Sequence, residues 1–200
     1  KDMASARQSP RTQHSDAVID YSRAFGTMLR KVNAAPQAVI AILEGAVLGG
    51  GFGLCCVSDV AIAVSDAKFG LPETGLGLPP AQIAPFVVER IGLTQARRLG
   101  VCGGRFNGEE AERLGLVHFV EADTAAVDKR LAEVVEQIRR CAPKANAVTK
   151  RIMLGVSQAN PEDLLDDAAR EFAECLRGDE GTEGTMAFIE KRLPNWATPD

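Results

Sequence analysis

The sequence predicts an α/β chain that gives way to a helical C-terminal region, and three observations carry that reading. Two apolar, strand-like runs, Ala38–Leu43 and Asp59–Val64, flank a glycine run and an apolar helix, which makes a strand-helix-strand unit. After Asp123 no strand-like run recurs, and three or four helical patterns succeed one another. Ahead of both, Ser15–Asn33 places Val18, Tyr21, Phe25, Met28, Leu29 and Val32 at helical spacing behind a Ser-Asp start suited to capping.

Taken in order, Pro36 ends the first helix and Glu44-Gly45 closes the first strand, whose run of apolar residues predicts burial on both faces. The glycine run opens a helix that reaches about Val57, and Asp59–Val64 reads as a second buried strand. Pro79-Pro80 is expected to open a helix with Ile83, Phe86, Val87 and Ile91 on one face, Pro85 being tolerable only in the first turn or at a bend. Gly92 should stop that helix and Thr94 restart it, while Asn107 caps a short helix ending at Leu114-Gly115. Leu116–Val120 is the last expected strand. Asn160-Pro161-Glu162-Asp163 combines a cap, a proline at the first helical position and acids in the first turn. Thr182 is expected to start the final helix, which ends near Arg192.

With 200 residues, 46% hydrophobic and 25% charged content and a net charge of −4, the composition fits one globular domain, or one domain and a small appendage. No Lys/Arg-dense stripe offers a footprint for nucleic acid or acidic lipid. No apolar run approaches the roughly 20 residues of a membrane span and no charged-then-apolar leader opens the chain, so a cytoplasmic protein is expected. Cys55, Cys56, Cys102, Cys141 and Cys175 are odd in number and lack metal-ligand spacing, and all five read as packing residues. His14 and His118 have no thiol or acid partner nearby in sequence and carry no catalytic expectation.

Gly49-Gly50-Gly51-Phe52-Gly53 stands between an apolar strand and a helix start, where the first N–H groups have no intrahelical partner and the helix dipole favours negative charge. Three consecutive glycines let a ligand oxygen approach those donors with no Cβ in the way. The run is neither G-x-G-x-x-G nor a Walker loop, which argues against nucleotide phosphate. Some twenty residues on, Phe69-Gly70-Leu71-Pro72-Glu73-Thr74-Gly75 sets one carboxylate among apolar neighbours, a partly desolvated setting that suits proton transfer. Together the two segments suggest an oxyanion site beside an acid/base.

Ile40-Ala41-Ile42-Leu43-Glu44-Gly45-Ala46-Val47-Leu48-Gly49-Gly50-Gly51, Ser58-Asp59-Val60-Ala61-Ile62-Ala63, Phe69-Gly70-Leu71-Pro72-Glu73 and Ala111-Glu112-Arg113-Leu114-Gly115-Leu116-Val117 resemble the crotonase, or enoyl-CoA hydratase/isomerase, superfamily, nearly end to end. Lys1-Asp2-Met3 resembles the residues just after the family's alanine-glycine-x-aspartate segment, which would place the family's first quarter upstream of Lys1. The resemblance implies a β-β-α spiral core over residues 1–121 and a helical oligomerisation region over 122–200, assembled as trimers or dimers of trimers. It implies an acyl-CoA thioester as substrate, coenzyme A being part of that substrate and no separate cofactor. The thioester carbonyl would sit between two backbone N–H groups, one of them that of Gly50, flanked by Gly49, and the other upstream of Lys1. Glu73 would be the catalytic carboxylate, Lys1 would flank the CoA, and Phe188-Ile189-Glu190-Lys191 resembles the segment reaching a neighbouring subunit's CoA.

Two departures from the family pattern stand out. Gly53 occupies the position of a second glutamate, and an acid there would point into the site; its absence suggests room for a bulky acyl group, or loss of hydratase function. Gly77–Phe86 replaces a proline-glycine-x-glycine-glycine run. Both departures resemble the bacterial branch of methylglutaconyl-type hydratases, and within it those acting on isohexenylglutaconyl-CoA in acyclic monoterpene (citronellol and geraniol) degradation. The function implied is hydration of a branched enoyl-CoA, with Gln82 available to position the water. The competing readings are hydration of 3-methylglutaconyl-CoA or of simple enoyl-CoA, double-bond isomerisation, and a non-catalytic CoA-binding or RNA-binding relative, the last disfavoured by the acidic balance.

Overall fold

The computed structural model describes residues 8, 16–157 and 159–197. The chain divides into two units: residues up to Asn33 with Ile40–Val127, and Ala34–Val39 with the residues from Asp128 onward.

In the first unit, helix α1 (Ala17–Asn33) starts at Asp16, whose Oδ1 accepts from the N–H groups of Val18 (2.9 Å) and Ile19 (3.3 Å). Its inward stripe includes Gly26 and the fully buried Leu29, and Arg30 and Lys31 sit in the last turn, where the dipole favours cations. Strands β1 (Ile40–Leu43) and β2 (Ala46–Leu48) come next, separated by Gly45 at φ 60°, and they belong to different sheets. Helix α2 is Gly50–Cys56, β3 is Val60–Val64 and β4 is Lys68–Gly70. A 3-10 helix, Pro72–Leu76, leads towards α3 (Ala84–Cys102), β5 (Arg105–Phe106), α4 (Gly108–Arg113) and β6 (Phe119–Glu121).

One sheet has the order β1-β3-β6, all parallel, with Ile40 opposite Val60 and Ile62 opposite Phe119. The other has the order β2-β4-β5, with β2 and β4 parallel and β5 antiparallel to β4. The core gathers Phe52, Phe69, Ile62, Leu71 and Leu116, and Phe106 stacks on Phe69 with ring centroids 5.7 Å apart while meeting Phe52 edge-on.

Several sequence expectations need correcting. β1 starts at Ile40 and lies at the edge of its sheet among the described residues, and with Ile42 exposed it is not buried on both faces. β2, β4 and β5, only two or three residues long, were not anticipated, because so short a run has no readable period. Pro79-Pro80 opens no helix: α3 begins at Ala84 with Pro85 in its first turn. The predicted break holds, since Gly92 adopts φ 75° and ψ 157° inside α3. The last strand is Phe119–Glu121, not Leu116–Val120, because the Leu116 and Val117 N–H groups donate back to the Ala111 carbonyl across the left-handed Gly115. Asn107 caps α4 as expected, its Oδ1 accepting from Glu110 N–H at 3.1 Å.

α5 (Thr124–Arg139) carries the chain into the second unit, which holds α6 (Pro143–Gly155), α7 (Pro161–Arg177) and α8 (Asp179–Glu190). Asn160 caps α7 through Glu162 N–H (2.9 Å), as its sequence dictates. α8 starts earlier than Thr182, because extended Gly178 serves as its cap and Asp179 and Glu180 supply the acidic first turn. The Glu180 carboxylate also accepts from Lys144 N–H (3.0 Å) and Ala145 N–H (3.2 Å), which closes the start of α6. Arg192 grips Glu183 through two hydrogen bonds of 2.6 and 2.8 Å while Asn195 N–H adds a third, and these hold the pKa of the Glu183 carboxyl down to about 2. A groove of about 610 Å³ runs between α6, α7 and α8, lined by Val148, Ile152, Ala168, Phe172 and Cys175 among others. No helix among the described residues is long and apolar enough to cross a membrane.

Candidate active site

Parallel pairing of β2 with β4 sets Leu48 opposite Gly70, so the chain leaves both strands at the same end of the sheet. After β2, Gly49 takes φ 49° and ψ −114°, a turn that residues with a Cβ rarely make, and Gly50 becomes the first residue of α2. After β4, Leu71 leads into the 3-10 helix, which carries Glu73 in its first turn. The two segments meet: Glu73 Oε1 lies 3.5 Å from where a Cβ on Gly49 would stand. Glu73 Oε2 is buried and has no hydrogen-bond partner among the described residues. Such an oxygen is costly to leave unpaired unless a ligand or water meets it.

The 3-10 helix is held at both ends. Gly77, at φ 74°, turns its N–H back to the Thr74 carbonyl (3.1 Å), and Leu78 N–H donates to the Glu73 carbonyl (3.0 Å). Thr74 Oγ1 donates to the Gly100 carbonyl of α3 at 3.1 Å. The apolar surroundings expected of Glu73 are one-sided: Phe69 and Leu71 are buried, whereas Leu76 and Leu78 are exposed.

Gly50 is exposed, with Phe25 of α1 against one side of it, the ring's Cζ lying 3.2 Å from the place of a Cβ. One turn further along α2, Gly53 is buried, and a Cβ there would stand 2.6 Å from Ile83 Cγ2 and 3.2 Å from Leu29 Cδ1. The space beside Gly53 is therefore taken by two aliphatic side chains, not left open to an acyl group. Gln82 turns its side-chain amide onto Gly26 of α1, so close that a Cβ at that position would require the amide to move.

Gly49, Gly50 and Glu73 are thus brought together in the first unit, with Gln82 against α1 on the same unit. Phe188 and Lys191 stand on the second unit, Phe188 being 84% exposed and Lys191 ending α8 in the left-handed conformation. Lys1 and His14 lie outside the described residues. Phe25 was missed as a site residue because its helical spacing marks it only as core-facing, and nothing local to either segment encodes its contact with Gly50.

His118 is structural. Its Nδ1 accepts from Ala61 N–H (2.9 Å) and lies 3.4 Å from Arg90 Nη2, and burial, then the Arg90 charge, hold its pKa below the ordinary value. Arg90 also donates to the carbonyls of Leu116 (3.0 Å) and Ser58 (3.1 Å). Of the cysteines, Cys55 and Cys56 are buried as expected, but Cys102 and Cys141 are exposed and do not pack. Among the described residues no cluster of three or more His, Cys, Asp or Glu side chains could hold a metal ion.

The enoyl-CoA hydratase/isomerase family model matches residues 5–199. A probable enoyl-CoA hydratase of Bacillus subtilis (strain 168) is 31% identical over 170 residues, covering 84% of this chain and 66% of that protein. The mitochondrial methylglutaconyl-CoA hydratase of Mus musculus is 28% identical over 187 residues, covering 92% of this chain and 60% of that one. The chain thus spans under two thirds of the length of either relative. Among solved structures, Pseudomonas aeruginosa AtuE is 60% identical with a TM-score of 0.95, over 98% of this chain and 75% of that one. An enoyl-CoA hydratase/isomerase from Marinobacter aquaeolei is 54% identical with the same TM-score and the same coverage.

Proposed function

The chain belongs to the enoyl-CoA hydratase/isomerase family and has its crotonase fold, and on that premise we propose that it is a hydro-lyase adding water across the α,β double bond of a branched, carboxylate-bearing enoyl-CoA. The substrate we assign is isohexenylglutaconyl-CoA, in acyclic monoterpene catabolism; the 60% identity to AtuE supports that choice. The observation that carries the chemistry is the meeting of Glu73 with the turn at Gly49, one carboxylate oxygen beside that glycine and the other buried without a partner among the described residues.

In this reading the Gly50 N–H donates to the thioester oxygen as negative charge moves onto it, a donor whose loss would cost about 2.7–4 kcal/mol in the transition state. Glu73 accepts a proton from the attacking water as its oxygen bonds to Cβ, and the resulting carboxylic acid returns a proton to Cα. Both transfers use the same carboxyl group, so water adds to one face of the double bond. Lys1 is assigned to the CoA moiety, Lys191 with Phe188 near it to the CoA of a neighbouring subunit, and Gln82 to the water. The exposed Phe172, Phe188 and Ile189 of the helical second unit are assigned to contacts between copies of the chain, in a trimer or a dimer of trimers.

Isomerisation is favoured by one observation. Ile83 and Leu29 fill the space at Gly53, so no second acid acts from α2, and a single carboxylate suffices to shuttle a proton between carbons. Incubation with isohexenylglutaconyl-CoA, methylglutaconyl-CoA and crotonyl-CoA, and separately with a 3-enoyl-CoA, decides: hydration removes the conjugated thioester absorbance of the first three, whereas isomerisation of the 3-enoyl thioester creates it. Absence of turnover on all three by the full-length protein would overturn the hydratase assignment.

A further inference from the structure

We infer that Phe25 is a positioning residue for the Gly50 N–H, and that α1 controls the polarisation of the bound thioester through it. The inference rests on the oxyanion role proposed for Gly50. α1 and α2 meet through two contacts of one kind: Phe25 Cζ at 3.2 Å from the missing Cβ of Gly50, and Leu29 Cδ1 at 3.2 Å from that of Gly53. These are positions four apart on α1 set against positions three apart on α2, the spacing at which each helix presents one face. Gly50 is the outer contact and Gly53 the inner, since Leu29 and Gly53 are buried whereas Phe25 is half-buried and Gly50 exposed.

The outer contact has two consequences. Gly50 is the first residue of α2, and the dihedrals that aim its N–H are fixed by Gly49, whose φ of 49° and ψ of −114° lie where a chain with a Cβ finds no stable well. Glycine admits this turn without imposing it, and the ring against Gly50 is one neighbour that narrows it, with Glu73 Oε1 on the Gly49 side. The same ring stands against one side of Gly50, which is otherwise exposed, and so limits the approach of solvent from that side. Leu29 does the corresponding packing for the inner turn and is remote from the donor.

The test compares Phe25→Ala, Phe25→Leu and Phe25→Tyr with Leu29→Ala in the full-length protein, by steady-state kinetics and by isotope-edited infrared of the thioester carbonyl of a bound enoyl-CoA. Phe25→Ala should lower kcat by about 10²-fold, the scale of a misplacement of roughly 1 Å, with KM changed far less, and should diminish the carbonyl red-shift. Phe25→Leu should fall between, and Phe25→Tyr should restore both. Leu29→Ala should lower stability while keeping the red-shift. A full red-shift and kcat in Phe25→Ala, or equal loss of the red-shift in Leu29→Ala, would overturn the inference. Absence of any red-shift in the unmodified protein would instead overturn the oxyanion role of Gly50, so the two failures are distinct.

Discussion

Glu73 Oε1 stands 3.5 Å from the place where a Cβ of Gly49 would be, which ties the candidate carboxylate to the glycine turn that opens α2. Gly49 also has a backbone conformation that disfavours any other residue. Gly49→Ala should therefore cost about 1–3 kcal/mol of stability from strain and lower kcat as well. Urea unfolding and turnover measured on one preparation check both.

Glu73→Gln should leave the fold intact and reduce turnover by about 10²–10⁴-fold on every hydrated thioester, the usual contribution of a positioned acid/base. Because Glu73 Oε2 has no partner to lose among the described residues, the melting temperature should change little. Unchanged turnover on all three thioesters would remove Glu73 from the mechanism.

Gly53→Ala should collide with Ile83 Cγ2, 2.6 Å from the new Cβ, and cost about 1–3 kcal/mol. Ile83→Ala removes the colliding methyl at its own cost of about 2–5 kcal/mol. The double variant should cost less than the two added together, with a coupling of about 0.5–3 kcal/mol in a double-mutant cycle.

His118 predicts a pH dependence of stability. Its folded-state pKa lies below the ordinary value of 6.5, so between the two values the unfolded chain binds more protons than the folded one. The stabilisation is fully present above about 6.5 and is lost as pH falls through the folded-state value, where the Nδ1 that accepts from Ala61 N–H becomes protonated. His118→Asn, whose Oδ1 can still accept from Ala61, should flatten that part of the profile in urea titrations.

Thiol labelling should separate the cysteines. Cys102 and Cys141 are exposed and should react fast in the native protein, while Cys55, its thiol pushed up to about 12 by burial, and Cys56, raised by burial as well, should react only on unfolding. Mass-spectrometric mapping of labelled positions reads this directly.

Much of the fold was legible because it is written in local signals. Asp16, Asn107 and Asn160 cap the helices they precede, and Gly92 breaks α3 where a glycine interrupts a helical pattern. The short strands β2, β4 and β5 were not legible, since two or three residues carry no period and their pairing partners lie elsewhere in the chain. The candidate site divides in the same way. Gly50 and Glu73 announce themselves by residue type and neighbours, whereas Phe25 over Gly50 and Ile83 over Gly53 are contacts between distant segments that only the folded chain brings together.

The break at Gly92 separates two mechanical duties within one helix. The part before it carries Arg90, which clamps the carbonyls of Ser58 and Leu116, and the part after it carries Gly100, whose carbonyl holds Thr74 beside Glu73. A straight rod would force the tilt demanded by the clamp onto the carboxylate. With the break, the part that clamps Ser58 and Leu116 and the part that holds Thr74 beside Glu73 each take their own direction.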